Sequence, residues 1–365
     1  MKITIDNMRR YAVARSLFRP TTLGRAIRRL GFVQADPIRA PARAQDLTLR
    51  HRVVDYRAGD LERRYARLGL EEDFFVNYGF LRREHSALMH PRTPRRPWSA
   101  ERRRQAEAVL EFVRQRRSVH PREVDAAFAH GKTRNWFGGS SNASTQLLDE
   151  MHYRGLLRVV RREGGTRVYA VRSHTAPSAS DDTAVATRMD ELVDLIAMKY
   201  APLPARSLGY YLSLLCTGVP QWRSRRADAL ARARQRLGRA RVGAEDWFWP
   251  ADENPGSRRW RPDGAVRLLT PFDPIVHDRH RFERLWDWRY RFEAYTPPSK
   301  RSLGYYALPL LWGHRVLGWG NLSVVDGALR SEFGYVGGVA PGDPGFQSEL
   351  RAELERMQVF LGING

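Results

Sequence analysis

Between residues 100 and 172 the spacing of apolar residues switches from a helical to an alternating period, and this limits the fold more than any other feature of the chain. Ala108, Val109, Leu110, Phe112 and Val113 start one helix, and Pro121, with His120 before it, opens a second. Asn142 or Ser144 can cap a third, which carries Leu147, Leu148, Met151 and Leu156 at helical spacing. Residues 157–162 and 166–170 then alternate around Gly164 and Gly165, as a two-stranded hairpin does. Three helices followed by a basic, glycine-tipped hairpin is the winged-helix pattern. Arginines on the hairpin favour a DNA contact over a scaffold role.

The flanking sequence divides around this segment. Residues 1–97 read as a winged-helix-like domain with helices over 6–18 and from Thr22 to about Gly31, followed by an extended stretch over 32–38, because Pro37 disfavours helix at Asp36. The Pro/Arg-rich stretch 91–99 leads into the winged-helix domain at 98–175, and 173–183, poor in apolar residues, forms a second linker. Residues 184–257 read as a third helical or winged-helix domain. Residues 258–365 change to short apolar runs with many aromatics: strands over 304–311 and 316–322 join at Gly313 and His314, and a helix over 344–360 follows. The expected class is α+β, with tandem winged-helix domains followed by a C-terminal β-rich domain.

Charge narrows the function. Lys and Arg number 62 against 40 acids, a net charge of +22, and only Lys2, Lys132, Lys199 and Lys300 are lysines. A GC-rich genome exchanges lysine for arginine but does not create the excess, so a polyanion is the natural partner. The basic residues are spread along the chain and not gathered in one amphipathic helix, which disfavours a membrane surface. No run of about 18 apolar residues offers a membrane span, and the N-terminus lacks the apolar core of a signal peptide. Cys216 stands alone, which excludes an internal disulfide and fits a reducing cytoplasm.

Common catalytic devices are missing: no Walker loop, Rossmann fingerprint, HExxH or GxSxG occurs, and the histidines are scattered. What remains is a carboxylate and a carboxamide. Gln34 and Asp36 lie two apart in an extended stretch, so their side chains leave one face. Such a pair suits hydrolysis of an N-glycosidic bond: the carboxylate polarises water or stabilises the developing oxocarbenium, and the amide holds the water. A cationic N-alkyl base departs neutral and needs no strong acid. An Asp before Pro is also a common turn residue, so spacing alone leaves both readings open. The scarcity of lysine disfavours Schiff-base chemistry, hence a lyase step.

Residues 30–53 and 268–311, with the winged-helix middle between them, resemble the YcaQ-like crosslink-repair DNA glycosylase family. The most specific match is the run from Phe292 through Glu293, Ala294, Tyr295, Thr296 and Pro297 to Lys300, Arg301, Gly304 and Tyr305, preceded by Phe272 and Asp273 between Pro271 and Pro274. The resemblance implies tandem winged helices and a C-terminal β-domain shaped as a C-shaped clamp around duplex DNA. It implies catalysis by Gln34 and Asp36 as a Gln-x-Asp signature, without metal or cofactor. It further implies removal of N7-alkylguanine and unhooking of interstrand crosslinks. Where the family carries a His-Glu-Ala stretch this chain reads Asn77 and Tyr78, which could line the site but cannot supply that acid.

Arg39, Arg43, Arg50, His51 and Arg52 are candidates to grip phosphates beside the lesion, with Lys300 and Arg301 from the C-terminal domain. Trp286, Trp288, Tyr290, Tyr295, Tyr305 and Tyr306 could stack on a base, although aromatics in strands more often fill a core. Asp273 reads as a turn-former. The expected protein is a cytoplasmic, monomeric, monofunctional DNA glycosylase acting on double-stranded DNA. The alternative is a non-catalytic winged-helix regulator or architectural protein, which would bind preferred sequences, often as a dimer.

Overall fold

Residues 2–94, 96–129, 131–134, 140–173 and 181–363 are described by the computed structural model. They divide between two units, each assembled from separate stretches: Met1–Leu61, Val193–Tyr211 and Leu230–Gly365 in the first, Glu62–Leu192 and Leu212–Ala229 in the second. Arg95 of the first expected linker and residues 174–180 of the second lie outside the described residues. The fold mixes helices with antiparallel sheets, as the sequence leads one to expect.

The second unit contains the anticipated order of three helices and a hairpin. Ser99 caps Ala100–Arg116 by accepting from Arg102 N–H, so this helix begins two turns before the apolar run that signals it. His120 and Glu123 form a reciprocal cap on Pro121–Phe128, and Asn142 caps Ala143–Arg154. Leu157–Glu163 and Thr166–Val171 pair antiparallel, and a bridge from Val119 to Tyr169 ties the first two helices to the hairpin. Val109, Val113, Val124, Leu147, Leu148, Met151 and Val159 are all buried.

The hairpin's arginines are all paired within the unit. Arg162 grips Glu72 with Nε to Oε1 at 2.9 Å and Nη2 to Oε2 at 2.6 Å, while Arg158 reaches Glu71 at 3.0 Å. Arg167 pairs with Asp149 at 2.7 Å, and Arg161 is exposed beside Glu163. Fully buried Asp73 organises the rest: it accepts from Ser86 Oγ at 2.8 Å, His90 Nε2 at 2.7 Å and Arg92 Nη1 at 2.8 Å, with Arg172 Nη2 at 3.4 Å. Burial pushes its carboxyl up, but Arg92, His90 and Arg172 outweigh that and hold it well below the ordinary range. Burial likewise pushes His90 down to about 4, so its neutral ring serves as a donor. Residues 62–92, grouped with the N-terminal domain by sequence, therefore pack with residues 98–172.

In the first unit, Ile5–Ser16 carries a capping box in which Thr4 and Asn7 satisfy each other's backbone N–H. Leu23–Leu30 ends at Gly31, whose φ of +70° favours glycine and where a Cβ would lie 2.3 Å from Leu195 Cδ1. The strand Phe32–Gln34 and the helix Ala44–Leu49 follow. Val266–Leu268, Leu308–Trp312, Arg315–Val325 and Ala328–Tyr335 form a sequential antiparallel sheet, and Pro344–Leu361 packs against its first strand. Gly304, Tyr305, Tyr306 and Ala307, expected in a strand, precede it as irregular chain.

A buried ion pair fastens the two ends of the sequence together. Arg52, fully inaccessible, sends Nη1 to Asp273 Oδ2 at 2.8 Å and Nη2 to Oδ1 at 3.0 Å. Its remaining N–H groups reach Ser16 O at 2.9 Å, Thr48 O at 2.6 Å and Ser16 Oγ at 3.2 Å, so all five donors are used. Asp273 also accepts from Ile275 N–H at 3.0 Å, which makes it both the expected turn residue and an ion-pair partner. Removing one member of such a pair leaves the other charge buried and alone. Arg52→Met is therefore expected to cost about 3–5 kcal/mol in urea denaturation, and a loss under about 1 kcal/mol would show that the pair does not anchor the fold.

Candidate active site

Gln34 and Asp36 sit where the strand Phe32–Gln34 gives way to a loop. The strand is fixed through its main chain, because the buried ammonium of Lys199 donates to Phe32 O. Gln34 is buried, and its Oε1 finds no hydrogen-bond partner among the described residues. Asp36 is half-buried. Its N–H donates to Gln45 Oε1 at 3.3 Å, and its Oδ1 accepts from Ile38 N–H at 2.9 Å in a turn closed by its own side chain. Among the described residues Oδ2 takes no hydrogen bond and no cation forms an ion pair with the carboxylate. Burial raises the carboxyl above the ordinary aspartate range, and the Ile38 N–H only partly opposes this. The result is a carboxylate more basic than usual with an open oxygen.

Beyond Asp36 the chain borders a cleft of about 710 Å³, lined on one side by Arg39, Ala40 and Pro41 and on the other by Gly304, Tyr305, Tyr306 and the sheet residues Asn321 and Arg330. Gly304 has φ +110°, and a Cβ there would lie 2.4 Å from Asn321 Oδ1. Asn321 in turn donates to Leu303 O at 2.8 Å. Burial pushes the phenols of Tyr295 and Tyr306 up, and the charge of Asp36 adds to both, so the two rings stand within its field.

The basic residues divide sharply. Arg39 is exposed on the cleft wall, Arg43 is half-buried at the start of Ala44–Leu49, and Lys300 is exposed. Arg301 donates to Thr296 O at 2.8 Å and lies 5.1 Å over the ring of Tyr305. Three candidates drop out as phosphate contacts. The Arg50 side chain is buried against Glu353, buried His51 meets Leu268 O at 3.0 Å, and Arg52 is consumed by Asp273. Burial lowers His51 well below its ordinary value, with Arg50 adding to the effect, so the ring is neutral. Among the stacking candidates Tyr290 and Tyr306 are buried, Trp286 and Trp288 pack on the core, and Tyr295 and Tyr305 are exposed.

Asn77 and Tyr78 belong to the second unit. Tyr78 donates its hydroxyl to Glu72 Oε2 at 2.8 Å beneath Arg167, which lies 4.3 Å over its ring. Burial and the charge of Glu72 keep it a neutral phenol. Exposed Asn77 accepts from Tyr78 N–H at 2.8 Å.

Sequence reasoning missed two supporting residues. Gln45 holds the backbone of Asp36, nine residues back along the chain. Glu293, buried at 4% exposure, accepts from Ser302 N–H at 2.9 Å, Ser302 Oγ at 2.9 Å and Leu303 N–H at 2.7 Å, closing the loop that carries Tyr295 and Lys300. Its place in the best-matching motif was the available signal. Among the described residues no group of three or more His, Cys, Asp or Glu could hold a metal ion, and no helix is long and apolar enough to cross a membrane.

Comparison with known proteins places the arrangement. The solved structure of the Streptomyces sahachiroi DNA glycosylase AlkZ is similar with a TM-score of 0.62 at 14% identity, over 100% of this chain and 98% of that one. The family described as DNA glycosylase AlkZ-like matches residues 27–360, a span that contains Gln34, Asp36 and the whole cleft. The chain belongs to the AlkZ-like DNA glycosylase family.

Proposed function

We propose that the protein is a monofunctional DNA glycosylase that hydrolyses the N-glycosidic bond of N7-alkylated guanine in duplex DNA, including guanines joined in interstrand crosslinks. The observation that carries this reading is the Asp36 carboxylate, half-buried, with its pKa raised by burial and, among the described residues, with no cationic partner and an open Oδ2. Unpartnered Oε1 of Gln34, two residues earlier, supplies an acceptor for a water molecule. Asp36 polarises that water or stabilises the oxocarbenium that forms as the bond to C1′ breaks. N7 alkylation makes the base leave neutral, so no strong general acid is required, consistent with Tyr78 at the position of the family's acid.

Arg39 and Arg43 beside the site, with Lys300 and Arg301 on the loop held by Glu293, grip the flanking phosphates. Each half of an N7-to-N7 crosslink presents the same bond, so one cleavage unhooks it. The protein acts as a monomer without cofactor. No lyase step follows: Lys199 is buried and donates to a backbone carbonyl.

Two outcomes test the assignment. Asp36→Asn is expected to slow release of 7-methylguanine from a singly methylated duplex by about 10²–10⁴-fold, with affinity for the duplex within about twofold of wild type. No release by the wild type, with DNA binding intact, would instead favour the non-catalytic DNA-binding reading. The carboxylate form is the active one, so the rate should fall as the pH drops through the Asp36 pKa. Because that pKa is raised, the acid limb should lie above the ordinary aspartate range in single-turnover measurements, and Asp36→Asn should abolish the limb.

A further inference from the structure

We propose that Tyr295 is the side chain that reads the positive charge of the alkylated base, so that lesion choice rests on the face of one aromatic ring. The proposal rests on the glycosylase reading above and assigns its specificity. Tyr295 is 76% exposed, the most exposed aromatic side chain among the described residues. An aromatic ring left in water gives up the stabilisation of burial, and one held rigidly beside a cleft is placed to stack on a ligand.

This ring is held. Glu293 closes the loop with three hydrogen bonds, Thr296 N–H donates to Glu293 O at 2.9 Å, and Arg301 Nε donates to Thr296 O at 2.8 Å. Phe292 meets the ring edge-on at 6.1 Å between centroids and meets Tyr306 of the cleft wall at 5.4 Å, so Tyr295 continues an aromatic row that starts in the cleft. A recognition side chain on such a support costs little ordering when the ligand arrives.

The electrostatics select a cation. The π face is electron-rich, and the field of Asp36 adds negative potential at the ring. Neighbouring Tyr305 already has the Arg301 guanidinium over its ring at 5.1 Å, whereas no cation among the described residues lies over Tyr295. An N7-alkylguanine spreads one positive charge over a planar ring and fits that open face. Unmodified guanine has the same ring system without the alkyl group or the charge and gains stacking only.

The test uses binding, so that it does not depend on turnover. Full-length wild type, Tyr295→Leu and Tyr295→Phe are titrated with two duplexes that differ only at one nucleotide: 2′-fluoro-N7-methylguanine, which resists cleavage and is cationic, or 2′-fluoroguanine, which is neutral. The wild type is expected to prefer the cationic duplex. Tyr295→Leu should reduce the preference by about two- to thirtyfold, the range of a cation–π contact from exposed to desolvated, while Tyr295→Phe, which keeps the π face, should retain it within about twofold. A wild type that does not discriminate, or a Leu variant that discriminates as well as wild type, would overturn the assignment. So would a Phe variant as impaired as Leu, which would point to the hydroxyl. Release of 7-methylguanine by the wild type, absent in Asp36→Asn, shows separately whether the glycosylase reading stands.

Discussion

The contact between Arg52 and Asp273 joins residues 221 positions apart, and the candidate site is built on both sides of it. Arg52 follows the helix Ala44–Leu49, which carries Gln45 and thereby fixes the backbone of Asp36. Asp273 begins the stretch leading to Phe292, Tyr295 and Tyr306, the aromatic side of the cleft. Lys199 secures the same site strand through Phe32 O. Buried cations thus clamp main chain and carboxylates around an aspartate that has no cationic partner among the described residues. This contrast is the physical basis of the proposed chemistry. In a site crowded with arginines, a catalytic carboxylate keeps its basicity only if no arginine reaches it.

The same economy changes the meaning of the arginine content. Arg15 with Glu253, Arg50 with Glu353, Arg92 with Asp73 and Arg162 with Glu72 are internal fasteners, as is Arg52. Each such pair consumes an acid along with a base, so internal pairing leaves the net charge of +22 untouched. The excess must be carried by cations outside these pairs. The inference of a polyanionic partner therefore survives, although Arg50 and Arg52, two of the candidate phosphate contacts, are buried in ion pairs.

How much could be read from the sequence follows the range of the interactions. The helix starts at Pro121 and Ala143 and the glycine-tipped hairpin rest on contacts between near neighbours, and these were legible. Gln34 and Asp36 could be singled out as a candidate pair because two-residue spacing and Pro37 constrain them locally. The roles of Arg50, His51 and Arg52 were not legible, because each is decided by a partner more than 200 residues away that no local pattern announces. The packing of residues 62–92 with 98–172 was not legible for a similar reason: Asp73 gathers Ser86, His90, Arg92 and Arg172 over a span of 99 residues. Tyr295 stood in the best-matching motif, but exposure, which separates it from buried Tyr290 and Tyr306, is a property of the fold.

Lys199 offers the competing nucleophile to a water activated by Asp36. Burial and the charge of Arg52 push its ammonium down to about 7, a basicity suited to a Schiff-base nucleophile, yet its place against Phe32 O makes it a structural donor. Hydrolysis through Asp36 and attack by a lysine leave different products. Parallel single-turnover reactions on a 7-methylguanine duplex, one without reductant for mass spectrometry of the free base and gel analysis of the strand, and one with sodium cyanoborohydride for gel analysis of the protein, separate them most directly. Hydrolysis through Asp36 predicts one equivalent of free 7-methylguanine, an uncut strand with an alkali-labile site, and no protein trapped on DNA. A trapped covalent adduct, or a lesion left intact on bound DNA, would contradict it.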